Sequence, residues 1–216
     1  MKLGYWETVG NTRFAPEFKI PIGMFDVAIQ DNIKDKLLKQ ETSLKNLIDY
    51  KDVDGGLGAR DSLTGRFYGY NLLEWPEMDF LKTFFTNSVK KYFEFTECPL
   101  LDDLYIQCWY NTIRNGECID PHSHDNTPDC MISGNLTVAV DPKSNSFTYY
   151  QIGEWQDPLQ IKNDPGVLTI FPSWITHGTN PYKGNDIRIS IAFDIVSKDT
   201  YDRLKDQRKY IKFPLN

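Results

Sequence analysis

Three histidines are the residues of this chain best suited to metal chemistry. The sequence has only three, and His122 and His124 are separated by a single residue. On an extended segment residues i and i+2 point to the same side, so both imidazoles can bind one metal ion. His177 follows 53 residues after His124, beyond an apolar stretch that ends at Phe171, and a two-layered sheet can bring it beside the pair. The spacing fits a three-histidine metal site, and it also fits three unrelated surface or hydrogen-bonded histidines.

A second polar group lies in the apolar run 187–195. Alternate residues of this run are isoleucine or phenylalanine, and between them stand Arg188, Ser190, Ala192 and Asp194. An arginine in a strand this apolar is costly unless it meets an anion. Its planar guanidinium pairs with a carboxylate through two hydrogen bonds, and Ser190 can donate a third. The run predicts a carboxylate-binding site, with a structural Arg–Asp pair or an arginine on a solvated sheet face as the alternatives.

Composition and charge narrow the classes of function. The 216 residues are 40% hydrophobic and 25% charged, which is typical of one globular domain with a sizeable core. A net charge of −6 argues against a general binder of nucleic acid or anionic membranes. No apolar run reaches the roughly 18 residues of a membrane helix, and the N-terminus lacks the apolar core of a signal peptide. We therefore expect a cytoplasmic protein with reduced cysteines.

The first 98 residues are expected to support the site with helices. Helical spacing of apolar residues predicts a helix over 31–50, with Asp31 as its N-cap, and a second helix from Pro76 to about residue 95. The apolar stretch 20–29 is interrupted by Pro21 and Gly23, which predicts one edge strand or two fragments. We therefore expect this half to form a helical support region with edge strands.

After Pro99 the pattern changes to short strands. Apolar and polar residues alternate in five runs, which span 104–113, 133–140, 147–152, 167–171 and 187–196. Short strands at such spacing are typical of a sandwich or barrel, and the charged stretch 199–209 predicts a surface helix. We expect a single domain over 1–216, mainly β with N-terminal helices. Its parts are a helical support region (1–98), a jelly-roll core (99–197) and a charged C-terminal tail (198–216).

These motifs, in their order along the chain, resemble the 2-oxoglutarate/Fe(II)-dependent oxygenase superfamily. More narrowly, residues 99–196 are similar to the prolyl-hydroxylase-like group of putative 2OG-Fe(II) oxygenases that is common in marine bacteria and their phages. The shared motifs are Trp109-x-Asn111, Gly116, His122-x-His124, Ser133-Gly134, Phe171-Pro-Ser-Trp174, His177 and Arg188-x-Ser190. The resemblance implies a double-stranded β-helix, which is a cupin-like jelly roll, in the cytoplasm of a bacterium or a phage-infected host.

The resemblance also implies the cofactor, the cosubstrate and the reaction. The implied Fe(II) ligands are His122, His124 and His177. Arg188 with Ser190 would bind the far carboxylate of 2-oxoglutarate. The position of Asn111, in the strand before the histidine pair, fits a residue that faces this cosubstrate, and it fits equally a simple strand-end amide. The reaction would be an O2-dependent hydroxylation of a peptidyl or small-molecule substrate, coupled to decarboxylation of 2-oxoglutarate to succinate, with no side chain as general acid or base. The sequence leaves a homodimer open.

One position departs from the superfamily pattern. His124 stands where an iron-binding carboxylate is usual, so the metal would be held by three neutral imidazoles. Asp125 is adjacent, and a turn over 125–128 would let it serve as the ligand instead. Two other functions stay open, a three-histidine Zn(II) enzyme of cupin type and a non-catalytic jelly-roll binding or structural protein. Arg188 and Ser190 favour the oxygenase, because a zinc hydrolase has no need of a dicarboxylate anchor there.

Overall fold

Two antiparallel sheets and three helices make up the fold in the computed structural model, which describes residues 1–8, 12–14, 16–46, 63–64, 70–99, 102–124, 130–153 and 157–214. The strands are β1 (Lys2–Glu7), β2 (Lys19–Asp26), β3 (Leu104–Ile113), β4 (Cys130–Ala139), β5 (Phe147–Gln151), β6 (Leu159–Lys162), β7 (Val167–Pro172), β8 (Thr176–Thr179), β9 (Arg188–Ser197) and β10 (Ile211–Phe213). The helices are α1 (Ile33–Asn46), α2 (Asp79–Phe95) and α3 (Lys198–Leu204), and two 3-10 turns, Leu72–Glu74 and Pro76–Met78, precede α2.

The larger sheet has seven strands in the order β1-β2-β7-β4-β9-β3-β10, and the smaller sheet has three in the order β6-β5-β8. After β4 the chain crosses to the smaller sheet for β5 and β6, returns to the larger sheet for β7, and crosses again for β8 before β9. Every pairing is antiparallel. This is the arrangement of a jelly roll, so the predicted mainly-β architecture with N-terminal helices is confirmed.

The main hydrophobic core lies between the larger sheet and the helices. One face of β9, from Ile189 to Ile195, is buried in this core with residues of α1 and α2. The rings of Phe85 on α2 and Phe193 on β9 have centroids 4.9 Å apart, and burying such side chains contributes roughly 1.5–3 kcal/mol each. Because alternate residues of a strand point to opposite faces, this packing turns the polar residues of β9 toward the interior of the jelly roll.

Both predicted N-terminal helices are present, with different starts. The first begins at Ile33, because the carbonyl of Asn32 accepts the first helical bond, from the backbone N–H of Lys36 at 3.1 Å. The prediction of Asp31 as N-cap is therefore wrong, and residues 47–50 lie outside the described part of the chain. The second begins with the 3-10 turn at Pro76 and continues as α2. None of the helices among the described residues is both long and apolar enough to cross a membrane.

The predicted edge strand over 20–29 is an interior strand. β2 lies between β1 and β7, and the unpredicted β1 forms the edge. Pro21 is accommodated in this interior strand because it lies outside the pairing with β7, which begins at Gly23. It stands opposite Tyr5 of β1. The short strands β6, β8 and β10 are also absent from the prediction. The helix expected over 199–209 is present as α3, which is shorter, and β10 follows it in the larger sheet.

Candidate active site

The fold brings all three histidines to one place. His122 follows β3 and His177 lies in β8, and their backbones form an isolated antiparallel bridge. The ring centroids of His122 and His177 are 4.4 Å apart, and that of His124 is 5.2 Å from each of them. One ring nitrogen from each histidine lies within 4.8 Å of the others. The expected cluster is therefore present in the structure, whereas Asp125 falls outside the described residues.

Each of the three rings has a partner at Nδ1. Nδ1 of His122 lies 2.8 Å from the carbonyl oxygen of Asp120, and Nδ1 of His177 lies 2.9 Å from that of Ile175. A carbonyl oxygen only accepts, so these two nitrogens carry the ring proton and the lone pair is on Nε2. Nε2 of His124 is buried and has no hydrogen-bond partner among the residues that the structure describes. A metal ion bound at the three Nε2 atoms would satisfy this arrangement.

Burial favours the neutral form of His177. The side chain is only 8% exposed, and burial, with the neighbouring rings of His122 and His124, holds its pKa well below its usual range. Metal ions bind the neutral form of imidazole. His177 is therefore ready to bind a metal at neutral pH without first losing a proton.

A cavity of about 170 Å³ opens beside the histidines, between the two sheets. Its walls carry small polar side chains from both layers. Asn111 and Asn135 contribute from the larger sheet, and Thr148 and Thr179 from the smaller one. Trp109 also lines the cavity, with its ring 6.2 Å from that of His124. The space next to the histidines is thus suited to a small polar ligand.

Arg188 is a fully buried cation. Its side chain is 1% exposed, and Nε, Nη1 and Nη2 have no hydrogen-bond partner among the described residues. Burial lowers its pKa to about 10, while Tyr150 and Tyr182 raise it, so the guanidinium is charged at neutral pH. Neither a structural Arg–Asp pair nor a solvated sheet face accounts for it.

Ser190 and Asn111 lie next to each other in the register of the larger sheet. Asn111 of β3 stands opposite Ser190 of β9, and its Nδ2 lies 3.5 Å from the Ser190 hydroxyl oxygen. Arg188, Ser190 and Ala192 share one face of β9. Ala192 and Asn111 line the cavity, while Arg188 and Ser190 are buried and do not line it. The residues predicted to bind the cosubstrate therefore lie on one side of the larger sheet. Along β9, Ser190 lies nearer to the histidines than Arg188 does.

Asp194 is a member of the site for which the sequence pattern predicts no role. Its Oδ1 accepts hydrogen bonds from Nδ1 of His124 at 2.6 Å and from the hydroxyl of Ser133 at 2.7 Å. Asp194 is six residues from Arg188, so the alternation of the strand correctly predicts that both lie on the same face of β9. Its contact with His124 depends on the placement of a segment 70 residues away, which no local pattern specifies.

Tyr150 also lies beside the histidines. It is buried in β5, opposite His177 of β8. Its ring stacks near that of His177, with centroids 6.3 Å apart, and packs against Phe171 at 4.9 Å. Burial raises the pKa of its hydroxyl, while Thr169 and Arg188 lower it. Tyr150 therefore packs beside His177, and it influences the buried guanidinium electrostatically.

Comparison with known proteins gives one sequence match. Residues 107–194 match the profile of a family described as putative 2OG-Fe(II) oxygenase. This segment contains the three histidines, Arg188 and Asp194. No curated protein matches the chain.

Several solved structures share the fold at low sequence identity. A viral collagen prolyl hydroxylase from Paramecium Bursaria Chlorella virus-1, in complex with 2-oxoglutarate, is 12% identical with a TM-score of 0.55, over 82% of this chain and 96% of that one. A prolyl hydroxylase from Trichoplax adhaerens, in complex with a hypoxia inducible factor peptide fragment, is 12% identical with a TM-score of 0.53, over 84% and 86%. A Pseudomonas putida prolyl-4-hydroxylase is 12% identical with a TM-score of 0.50, over 82% and 92%.

The profile match and the solved neighbours indicate the same fold. The neighbours establish the double-stranded β-helix that the resemblance implied, and the profile match covers the strands that carry the histidines and the arginine. Fe(II) and 2-oxoglutarate are the cofactor and cosubstrate of this family, and O2 is its oxidant. Residues 107–194 of this protein are therefore similar in sequence to the putative 2OG-Fe(II) oxygenase family, and the chain shares its fold with prolyl hydroxylases of known structure.

Proposed function

We propose that the protein hydroxylates a peptidyl or small-molecule substrate, with Fe(II) bound by His122, His124 and His177. In this proposal Arg188 and Ser190 bind the far carboxylate of 2-oxoglutarate, and Asn111 faces the cosubstrate. The observation that carries the proposal is the Arg188 guanidinium. It is charged, fully buried and without a hydrogen-bond partner in the described part of the chain, and it lies on the same strand as the residue bonded to His124.

The donor set of the histidine cluster is compatible with iron. Imidazole nitrogen is a good ligand for Fe(II), and three Nε2 atoms leave positions open for other ligands. Protein groups already fix the orientation of each ring through its Nδ1. Three neutral ligands leave the full double charge of the ion, which favours a dianionic cosubstrate over a neutral one.

The dicarboxylate is compatible with the interior of the barrel. A buried guanidinium costs free energy until it meets an anion, and a carboxylate satisfies its fork with two charge-assisted hydrogen bonds. The hydroxyl of Ser190 lies two residues along the same strand and can donate a further bond. Asn111, Thr148 and Thr179 line the cavity near the histidines, where they can form hydrogen bonds to the rest of the cosubstrate.

The side chains of the protein position the iron and the cosubstrate and keep water out of the site. The iron, when bound with 2-oxoglutarate and O2, supplies the oxidising chemistry of this class of enzyme. The histidines hold the ion, Arg188 orients the cosubstrate, and the two sheets exclude water from both. No described side chain is needed as a general acid or base.

The substrate class rests on the kind of enzyme that shares the fold. Prolyl hydroxylases are among the solved neighbours, and one of them was solved with a peptide fragment bound. This supports a peptidyl substrate as the first candidate, with a small molecule as the second. A zinc enzyme has no need of a buried guanidinium, so Arg188 does not support that alternative.

Formation of succinate tests the proposal. The protein is supplied with Fe(II), O2 and 2-oxoglutarate labelled with carbon-13, and NMR follows succinate with and without a library of proline-containing peptides. We expect succinate from the wild-type protein and a peptide mass gain of one oxygen. Arg188→Met should remove this activity, while Arg203→Met, an exposed arginine on α3, should keep it. Equal activity of both variants, or no 2-oxoglutarate consumption by the wild type, would contradict the proposal.

A further inference from the structure

His124 differs from the other two histidines in the group that holds its Nδ1. Backbone carbonyls accept from His122 and His177, at 2.8 and 2.9 Å. The acceptor for His124 is the side-chain carboxylate of Asp194, at the shorter distance of 2.6 Å. His124 is also the residue at the position where the superfamily usually has an iron-binding carboxylate. The unusual ligand and the unusual partner thus occur together.

Asp194 is held in place by the larger sheet. It is 1% exposed on β9, with Ser133 of β4 directly opposite in the register. The Ser133 hydroxyl lies 2.7 Å from Oδ1 of Asp194 and 3.0 Å from Nδ1 of His124. The backbone N–H of His124 donates to the carbonyl of Ser173 at 2.9 Å, and the hydroxyls of Ser133 and Ser173 are 3.0 Å apart. The carboxylate and the imidazole are therefore fixed relative to each other by two strands and a loop.

A carboxylate behind a metal-bound histidine changes the ligand in two ways. It holds the ring proton on Nδ1, so that the lone pair of Nε2 points to the metal, and it makes the ring a stronger donor. Such partners typically contribute 10–100-fold to metal affinity. Backbone carbonyls provide the first effect and only a weaker form of the second, because they carry no net charge.

We infer that Asp194 is a positioning residue of the metal centre. Its carboxylate, acting through His124, takes the place of the negative charge that a carboxylate ligand supplies in a site of two histidines and one carboxylate. This rests on the proposed three-histidine site, and it explains how the chain can have His124 at that position. The metal itself is contacted only by the histidines.

A different use of Asp194 is the competing arrangement. His124, Cys130 and Asp194 also place one potential ligand atom each within 4.8 Å of one another. A metal bound there would have to replace the 2.6 Å hydrogen bond between His124 and Asp194. It would also bind the thiolate of Cys130, whose sulphur now lies 3.1 Å from the Ser173 hydroxyl. Cobalt distinguishes the two arrangements, because a thiolate ligand adds an intense near-ultraviolet charge-transfer band to its spectrum.

Titration of the full chain with Co(II), in competition with a chelator, tests the inference. We expect Asp194→Asn, which keeps the shape but removes the charge, to bind Co(II) about 10–100-fold more weakly than the wild type. Asp164→Asn, which removes an exposed carboxylate in another loop, should bind as the wild type does. Cys130→Ser should also leave the affinity and the spectrum unchanged. Wild-type affinity in Asp194→Asn, or a thiolate band that is lost in Cys130→Ser, would overturn the inference.

Histidine NMR of the wild-type protein gives a test that does not depend on the folding of any variant. With the histidines labelled with nitrogen-15 and Zn(II) bound, the inference predicts a proton on Nδ1 of His124. Its resonance should lie furthest downfield of the three ring protons, since its hydrogen bond is the shortest and ends on a carboxylate. A proton-free Nδ1 on His124 would overturn the inference.

The same titrations separate this inference from the proposed site. If the wild-type protein binds neither metal, or if His124→Ala and His177→Ala bind Co(II) as well as the wild type does, the three-histidine site itself is wrong. If those two variants lose Co(II) while Asp194→Asn does not, the site is right and the role of Asp194 is wrong.

Discussion

His122 and His177 are joined through their backbones. The N–H of each donates to the carbonyl of the other, at 3.0 and 2.9 Å, in a bridge that ties the segment after β3 to β8. Two of the three proposed iron ligands are therefore placed by main-chain hydrogen bonds, and not by the metal. The site can be pre-formed before any ion binds, which reduces the ordering cost of binding.

Removing one ligand should abolish iron binding without unfolding the protein. His177→Ala leaves the backbone bridge intact but removes one of three donors, so we expect loss of stoichiometric Fe(II), measured by anaerobic equilibrium dialysis. Thr176→Ala, the preceding residue of β8, is the control and should retain iron. Retention of one Fe(II) per chain by His177→Ala would exclude this residue as a ligand.

Substitutions at two neighbouring residues, His124 and Asp125, distinguish the two candidates for the third iron ligand. We expect His124→Ala to reduce Fe(II) affinity by orders of magnitude, because its buried Nε2 has no other partner. Asp125→Ala should change it little. The same dialysis measures both variants. The reverse pattern would assign the position to Asp125, the alternative that the sequence left open.

Replacing the buried guanidinium should stabilise the protein while it destroys cosubstrate binding. Arg188→Met removes an unpartnered buried cation and keeps most of the side-chain volume, so the free energy of unfolding should rise by about 1–4 kcal/mol. Calorimetry of the apo-protein gives the stability, and titration of 2-oxoglutarate into the Mn(II)-loaded protein gives the affinity. Arg203→Met, on exposed α3, should change neither. A marked fall in the stability of folded Arg188→Met would mean that the arginine has a structural anion partner instead.

A close contact in the sheet makes Gly134 sensitive to substitution. A Cβ at this residue would lie 2.3 Å from the ring of Phe193, which stands opposite it in the register. We expect Gly134→Ala to lower the free energy of unfolding by about 1–3 kcal/mol, as overpacking of a core does. Chemical denaturation measures the loss. The double variant Gly134→Ala, Phe193→Leu should recover part of it, and equal stability of the single variant and the wild type would show that the ring moves aside freely.

The alternation of β9 could be predicted from the sequence, and with it much of the site. The pattern from Ile187 to Ile195 correctly separated the core face from the face of Arg188 and Ser190, because period-two alternation is a local property of strands. The same reasoning placed His122 beside His124. The bounds of β3 agree with the predicted run 104–113.

The features that the sequence did not specify depend on distant parts of the chain. β2 is an interior strand only because β1 covers it, and no local signal marked the short β1. The contact of Asp194 with His124 joins residues 70 positions apart. The N-cap at Asp31 failed by one residue, since Asp31 and Asn32 are both good caps and only the backbone path decides between them.

The most direct test of the account is an anaerobic titration of the apo-protein with Fe(II) and then with 2-oxoglutarate, followed by visible absorption. An Fe(II) ion chelated by the keto acid has a weak metal-to-ligand charge-transfer band that neither component shows alone. We predict that the band appears only when both are present and that it is absent in Arg188→Met at the same cosubstrate concentration. Iron binding without any band in the wild-type protein would contradict the account.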